Sequence, residues 1–97
     1  MITLKIIGKQ DCVPCNSAKK KWNLYLEKWN MKEKVDFMFL DVDTDEGKAE
    51  AEFYEVDDVP FTTIEYDDEP IKSWKDKIVE KSEVRKVLDN LLCQEKN

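Results

Sequence analysis

Apolar and polar positions change period several times along this chain, and each change marks an element. Ile2 to Ile7 is a short apolar run carrying one lysine and ended by Gly8, which predicts a strand. Gly8 to Asp11 reads as a loop. From Val13 the period lengthens: Ala18, Trp22, Tyr25, Leu26 and Trp29 fall at i, i+4, i+7, i+8 and i+11, one stripe of an amphipathic helix. Lys19, Lys20, Lys21, Glu27 and Lys28 lie mainly off that stripe. Val35 to Val42 (VDFMFLDV) predicts a second strand, with Phe37 and Phe39 pointing one way and Met38 and Leu40 the other. Apolar residues on both faces call for cover on both sides, the habit of a parallel strand.

Asp43 to Val56 starts acidic, which suits a helix N-terminus. It then carries Ala49, Phe53 and Val56 at helical spacing, a short second helix. Pro60 to Tyr66 predicts a third strand. Asp67 to Pro70 reads as a turn, and Ile71 to about Lys75 as a fourth, more polar strand, antiparallel to the third and at an edge. Ser82 suits the N-cap of a last helix whose buried stripe is Val84, Val87, Leu88, Leu91 and Leu92. The order is β-α-β-α-β-β-α, an α/β fold. Two right-handed crossovers and a hairpin would give a four-stranded mixed sheet flanked by three helices lying on both faces. The loop after the first strand then lies at a strand carboxyl end, where open α/β sheets place their sites.

Ninety-seven residues without an internal repeat or linker make one domain, 1–97. Forty-one per cent apolar residues suffice for one core, and 39 per cent charged residues for a highly soluble surface. A formal charge of −6 lacks the basic field that nucleic acid or an anionic membrane attracts, so neither is expected as a partner. No stretch reaches the ~18 consecutive apolar residues of a span. Met1 to Ile7 is too short and too evenly charged for a signal peptide. A cytoplasmic location is therefore expected. In that reducing setting a lone C-x-x-C is more often catalytic or metal-binding than structural.

That motif is Cys12-Val13-Pro14-Cys15, at the end of the first strand and the start of the first helix. Cys12 would face free N–H groups and the positive end of the helix dipole, both of which lower a thiol pKa from about 8.5. Cys15, one turn later, would be more buried. We assign Cys12 as nucleophile and Cys15 as resolving thiol, with no metal and no cofactor. Pro14 fits the first helical turn, where its missing N–H is not needed. Lys9 adds positive charge nearby and Asp11 opposes it. Tetrahedral zinc would need two further N or S ligands, and the chain has only Cys93 and no histidine. That leaves a zinc shared between two chains, or two thiols spaced by chance, as the other readings.

Asp57-Asp58-Val59-Pro60 precedes the third strand. Together with the dithiol it makes the chain resemble a small member of the thioredoxin/glutaredoxin superfamily over residues 2–93. Cys12-Val13-Pro14-Cys15 is similar to the thioredoxin Cys-Gly-Pro-Cys. Phe39 to Asp43, the acidic helix and Val59-Pro60 resemble the stretch that ends in that family's cis-proline. Val79 to Leu92 is similar to the approach and last helix. The resemblance implies the thioredoxin fold, a cis Pro60 packed against the cysteines, and a Val59 backbone that pairs with a bound peptide or thiol. Val13, Pro14 and Lys9 join Val59 and Pro60 as expected substrate-binding residues.

The chain departs from the thioredoxin pattern at Asp11, where tryptophan is usual, and at Ile6, where a buried acid relays protons. Lys9 to Cys12 looks more like glutaredoxin. The glutathione pocket of that branch has no counterpart, since the chain reads Trp74-Lys75-Asp76-Lys77 after the fourth strand, with Asp76 at a position where glycine is common. The expected function is reduction of protein disulfides by a monomer that draws electrons from a donor such as thioredoxin reductase or glutathione. The alternatives are a glutathione-dependent glutaredoxin and a non-catalytic binding module.

Three other signals are set aside. Asp41-x-Asp43-x-Asp45 with Glu52 mimics a calcium loop, but the sixth position is Glu46 and Gly47 comes one too late. Trp74 sits on the edge strand and is a candidate substrate contact or a packing residue. Cys93 is expected as an idle surface thiol.

Overall fold

A computed structural model describes residues 1–75 and 78–95. The elements are β1 (Ile2–Gly8), α1 (Val13–Lys28), β2 (Val35–Asp41), α2 (Asp45–Phe53), β3 (Phe61–Tyr66), β4 (Glu69–Trp74) and α3 (Lys81–Glu95). They form one mixed sheet in the order β2-β1-β3-β4. β1 pairs parallel with β2 and antiparallel with β3, and β3 pairs antiparallel with β4.

The first crossover is parallel as the sequence predicts, but the second is not. A nine-residue helix spans about 13 Å, too little to carry the chain back down a seven-residue strand of about 23 Å. After α2 the segment 54–60 therefore returns to the same rim, and β3 starts where β1 ends. Antiparallel β3 consequently brings its first residue to the cysteine end of the sheet.

The main core lies between the sheet and the helix pair α1 and α3. Ile2, Leu4 and Ile6 of β1 and Ile64 of β3 meet Trp22 and Leu26 of α1 and Val84 and Leu88 of α3. Trp74 belongs to this core, which settles it as a packing residue. Across the top of α3, Lys21 Nζ donates to the Val79 carbonyl at 2.7 Å, while Lys81 and Arg85 lie over the rings of Tyr25 and Trp29.

The α2 face is different. Ala49 is exposed and Phe53 is 66% exposed, so the apolar spacing read in this helix does not make a buried stripe. Met38 of β2, expected under cover, is also exposed. Only Gly47 of α2 is buried, and a Cβ there would stand 1.7 Å from the Asp41 carbonyl oxygen. Backbone contact at Gly47 and ion pairs hold α2, not an apolar seam. Lys5, in the central strand, donates to Glu50 of α2 at 2.8 Å and to Glu65 of β3 at 2.9 Å, and the Tyr54 hydroxyl donates to Glu65.

Smaller boundaries also move. β4 begins at Glu69, because Asp67 and Asp68 alone make the turn, both at positive φ, the two-residue arrangement that matches strand twist. α3 begins at Lys81, placing Ser82 inside the first turn and not at the cap. Asp76 lies outside the described residues. No helix among the described residues is long and apolar enough to cross a membrane.

Candidate active site

β1 delivers the chain to the site through Gly8. A Cβ on Gly8 would lie 2.9 Å from Cys15 Sγ, closer than Cβ atoms come to a neighbour, and 3.2 Å from Phe39 Cε2, tighter than most such contacts, so any side chain there would force its neighbours to shift. The loop that follows is tied down at both ends. The Val42 N–H donates to the Gly8 carbonyl at 2.9 Å, and Asn16 Nδ2 donates to the Gln10 carbonyl at 2.9 Å.

Cys12 is the N-cap of α1, with extended backbone angles. Its Sγ accepts the Cys15 N–H at 3.1 Å and its carbonyl accepts the Asn16 N–H at 3.0 Å. The sulfur thus takes the place that a Ser or Asp oxygen occupies at an ordinary helix start. Cys15 follows one turn later, fully buried against Gly8, and the two sulfurs are joined as a disulfide with Cα atoms 5.2 Å apart. Half-buried Cys12 therefore presents the accessible sulfur and Cys15 the sheltered one. No acidic side chain occupies the first turn of α1 to oppose negative charge there. Pro14 sits in that first turn, exposed, beside Val13, which is 77% exposed.

The second segment arrives through β3. The register pairs Ile7 with Phe61, which brings Pro60 level with Gly8, directly below Cys15. Pro60 is buried and its peptide bond from Val59 is cis, as the resemblance implies. Val59 is half-buried, and its N–H donates to Asp58 Oδ1 at 3.0 Å. The residues Cys12, Val13, Pro14, Cys15, Val59 and Pro60 therefore share one rim of the sheet. Lys9 is exposed on the loop at that rim, with Asp11.

A shallow cleft of about 350 Å³ flanks the rim, floored by Ala18 and Trp22 and edged by Pro14 and Thr62. A larger one, about 580 Å³, lies over Lys5 on the α2 face and includes none of the rim residues.

Structural comparison decides the architecture. The chain superposes on thioredoxin 1 from Thermosipho africanus with a TM-score of 0.73 at 18% identity, covering 98% of this chain and 99% of that one. The chain has the thioredoxin fold. The Fasciola hepatica thioredoxin matches with a TM-score of 0.70 at 20% identity, over 92% of this chain and 79% of that one. The oxidised mitochondrial thioredoxin 3 of Saccharomyces cerevisiae matches at 0.67 and 19% identity, over 92% and 77%. No family model matches the sequence, and no curated relative does either. The thioredoxin-fold likeness thus rests on structure, and the chain's own residues carry what is specific to it.

Three features of the site escaped the sequence reading. The spacing places Phe39 on β2 without revealing its approach to the Gly8–Cys15 junction, Gly8 reads only as a strand end, and the sequence assigns Asp58 no role. A glycine that ends a strand seven residues ahead of the second cysteine of the pair is the one signal that points to close backbone approach.

Proposed function

We propose that this protein is a thiol–disulfide oxidoreductase that reduces protein disulfides through Cys12 and Cys15. The observation that carries the reading is a sheltered and an accessible sulfur, already joined, at the N-terminus of α1 with Cys12 Sγ accepting a backbone N–H. In the dithiol state the same N–H and the helix N-terminus favour negative charge on Cys12.

Cys12 thiolate attacks one sulfur of a substrate disulfide. That bond breaks, one substrate sulfur leaves as thiolate and takes a proton from water, and a mixed disulfide to Cys12 forms. Cys15, as thiolate, then attacks Cys12 Sγ, releases the second substrate sulfur and closes the internal disulfide. Two electrons pass from protein to substrate, and an external thiol donor resets the pair. Val59 and Pro60 line the same rim, where an extended substrate segment would pair with the Val59 backbone. Val13 and Pro14 offer it an exposed apolar surface, and Lys9 a cation.

The test is reduction of a model protein disulfide such as insulin with dithiothreitol as electron source. Cys12→Ser abolishes turnover, and Cys15→Ser traps the mixed disulfide. Full rate in Cys12→Ser would overturn the reading. Parallel assays with thioredoxin reductase and with glutathione plus its reductase identify the donor. Unchanged partner capture by a Cys12/Cys15 double serine variant, with no turnover by the unmodified protein, would make it a binding module. A measured potential near −270 mV fits a reductant and one near −120 mV an oxidant, values typical of thioredoxin and of a dedicated oxidase.

A further inference from the structure

We infer that the groove over Lys5, on the α2 side of the sheet, docks a basic amphipathic segment of a partner protein, one that sets Leu- or Phe-like side chains between Lys or Arg residues.

The two sides of the sheet are covered unequally. α1 and α3 bury one side, whereas α2 leaves the other partly bare. Met38 of β2 and Ala49 and Phe53 of α2 line a groove of about 580 Å³, within the range of about 300–1,000 Å³ that ligand clefts span. All three are exposed, so a strand residue and one helix face present apolar surface to the same groove. Single exposed apolar side chains are ordinary, but apolar surface gathered in one cleft is what a partner removes from water.

The charge of the groove decides the kind of partner. Its walls carry four carboxylates, Glu46, Glu50, Glu65 and Asp68, against the one ammonium of Lys5. Lys5 is already shared between two of them, at 2.8 Å from Glu50 and 2.9 Å from Glu65, so even this cluster keeps one net negative charge. Glu50 is half-buried and opens that charge to the groove. Glu46 and Asp68 are exposed, and their side chains make no ion pair or hydrogen bond among the described residues. A neutral segment laid over the groove would take these carboxylates out of water without a counter-charge. A Lys or Arg beside the apolar side chain supplies one, and its aliphatic stem adds buried area. A second copy of the chain fits poorly, since it brings the same groove and a formal charge of −6. No residue of the groove belongs to the dithiol rim, so docking leaves Cys12 and Cys15 open.

An amide NMR titration with a short synthetic peptide of alternating Lys and Leu tests this, at about 0.15 M salt, where exposed charges beyond about 8 Å are screened. Saturable shifts gather at Met38, Ala49 and Phe53. Gln for Lys, or Ser for Leu, in the peptide weakens binding. Glu46→Gln/Asp68→Asn raises the Kd by about two- to fivefold for each carboxylate lost, the worth of an exposed ion pair. Phe53→Ser raises it by about tenfold, through lost apolar burial. These side chains are exposed, so the variants remove no core contact. Glu80→Gln/Glu83→Gln removes the same charge at the start of α3, on the other side of the sheet, and leaves the Kd unchanged. Cys12→Ser/Cys15→Ser also leaves it unchanged.

Shifts that map to the dithiol rim overturn the inference, as does equal binding of the Gln-for-Lys peptide. A Glu46/Asp68 variant no weaker than the Glu80/Glu83 variant overturns it too, and so does a lack of saturable binding up to millimolar peptide. Groove amides that move with protein concentration alone would put a second copy there and overturn it likewise. The titration involves no turnover, so its failure leaves the proposed reaction standing, and an inert Cys12 leaves the docking result standing.

Discussion

Gly8 passes so close beneath Cys15 that a methyl group on it would stand 2.9 Å from the buried sulfur. Neither side can yield easily. Gly8 is the end of the central strand, bonded through its carbonyl to Val42, and Cys15 is fully buried in the first turn of α1. Phe39 closes the third side at 3.2 Å. The sulfur's depth is thus set by a missing side chain on the strand below it.

Gly8→Ala should therefore destabilise the fold by about 1–3 kcal/mol, the usual cost of forcing extra carbon into a packed site. Urea unfolding followed by Trp22 and Trp29 fluorescence measures it. The same substitution should slow resolution of the mixed disulfide, because Cys15 must shift. A variant as stable as the unmodified protein would show that Cys15 can shift at no cost.

Lys5, Glu50 and Glu65 make the second load on the sheet. Lys5 and Glu65 are buried and paired, with Glu50 closing the cluster from α2. Removing one partner leaves an uncompensated buried charge, which costs about 3–5 kcal/mol. Lys5→Met and Glu65→Leu should each destabilise by that order, since the cation or anion left behind keeps only part of its partners. The double variant should recover most of the loss, because two apolar side chains replace the pair. Denaturant midpoints of the four proteins form the cycle. Additive losses would place the energy elsewhere.

The same cluster fixes how stability responds to alkali. Burial lowers the Lys5 ammonium pKa, but the hydrogen bonds and charges of Glu50 and Glu65 outweigh that and raise it above its ordinary value of 10.5. Burial raises the Tyr54 phenol, and the hydrogen bond to Glu65 raises it further. Both groups hold their protons more tightly folded than unfolded. The folded state then binds more protons between the two values, so stability falls as pH rises. The contribution is complete below about pH 10, where both groups are still protonated in the unfolded chain. It is lost as pH climbs through the higher folded values. Melting temperatures from pH 8 to 12 should decline from about pH 10, and less steeply in Tyr54→Phe. A flat profile in that range would contradict the cluster.

How much of this was legible depends on which force set each element. Apolar periodicity located β1, α1, β2 and α3, because those elements are held by burial and burial writes itself into spacing. The site followed from C-x-P-C at a strand-to-helix junction and from Val59-Pro60, two local signals. α2 also lies where the spacing predicts a helix, but Ala49 and Phe53 have no surface to cover, and an ion pair and a bare Gly47 hold the helix instead. Lys5 carried a readable hint. A central strand covered on both faces has no wet position, so a lysine there demands a carboxylate, and Glu65 in the neighbouring strand supplies it. The crossover rule gives β3 the wrong direction because it assumes a helix long enough to traverse the sheet.

One position breaks a local rule with no visible return. α2 ends in the arrangement in which Val56 N–H bonds to the Ala51 carbonyl and Glu55 N–H to the Glu52 carbonyl, with Glu55 at φ 54°. The same closure after α1 uses Asn30 at φ 58°, with Met31 N–H to Leu26 and Asn30 N–H to Glu27. Asparagine tolerates that region, whereas a long side chain pays about 1–2 kcal/mol there. Glu55 is exposed and its side chain has no hydrogen bond or ion pair among the described contacts that would offset this. Glu55→Gly should therefore stabilise the protein by about 1 kcal/mol, or a rise of about 4–8 °C in Tm for a domain of this size. Glu55→Asn should give a smaller gain and Glu55→Ala close to none, because alanine keeps the Cβ that causes the clash. Differential scanning calorimetry of the three variants checks the order, and a loss of stability in Glu55→Gly would show that the glutamate side chain contributes more than its backbone conformation costs.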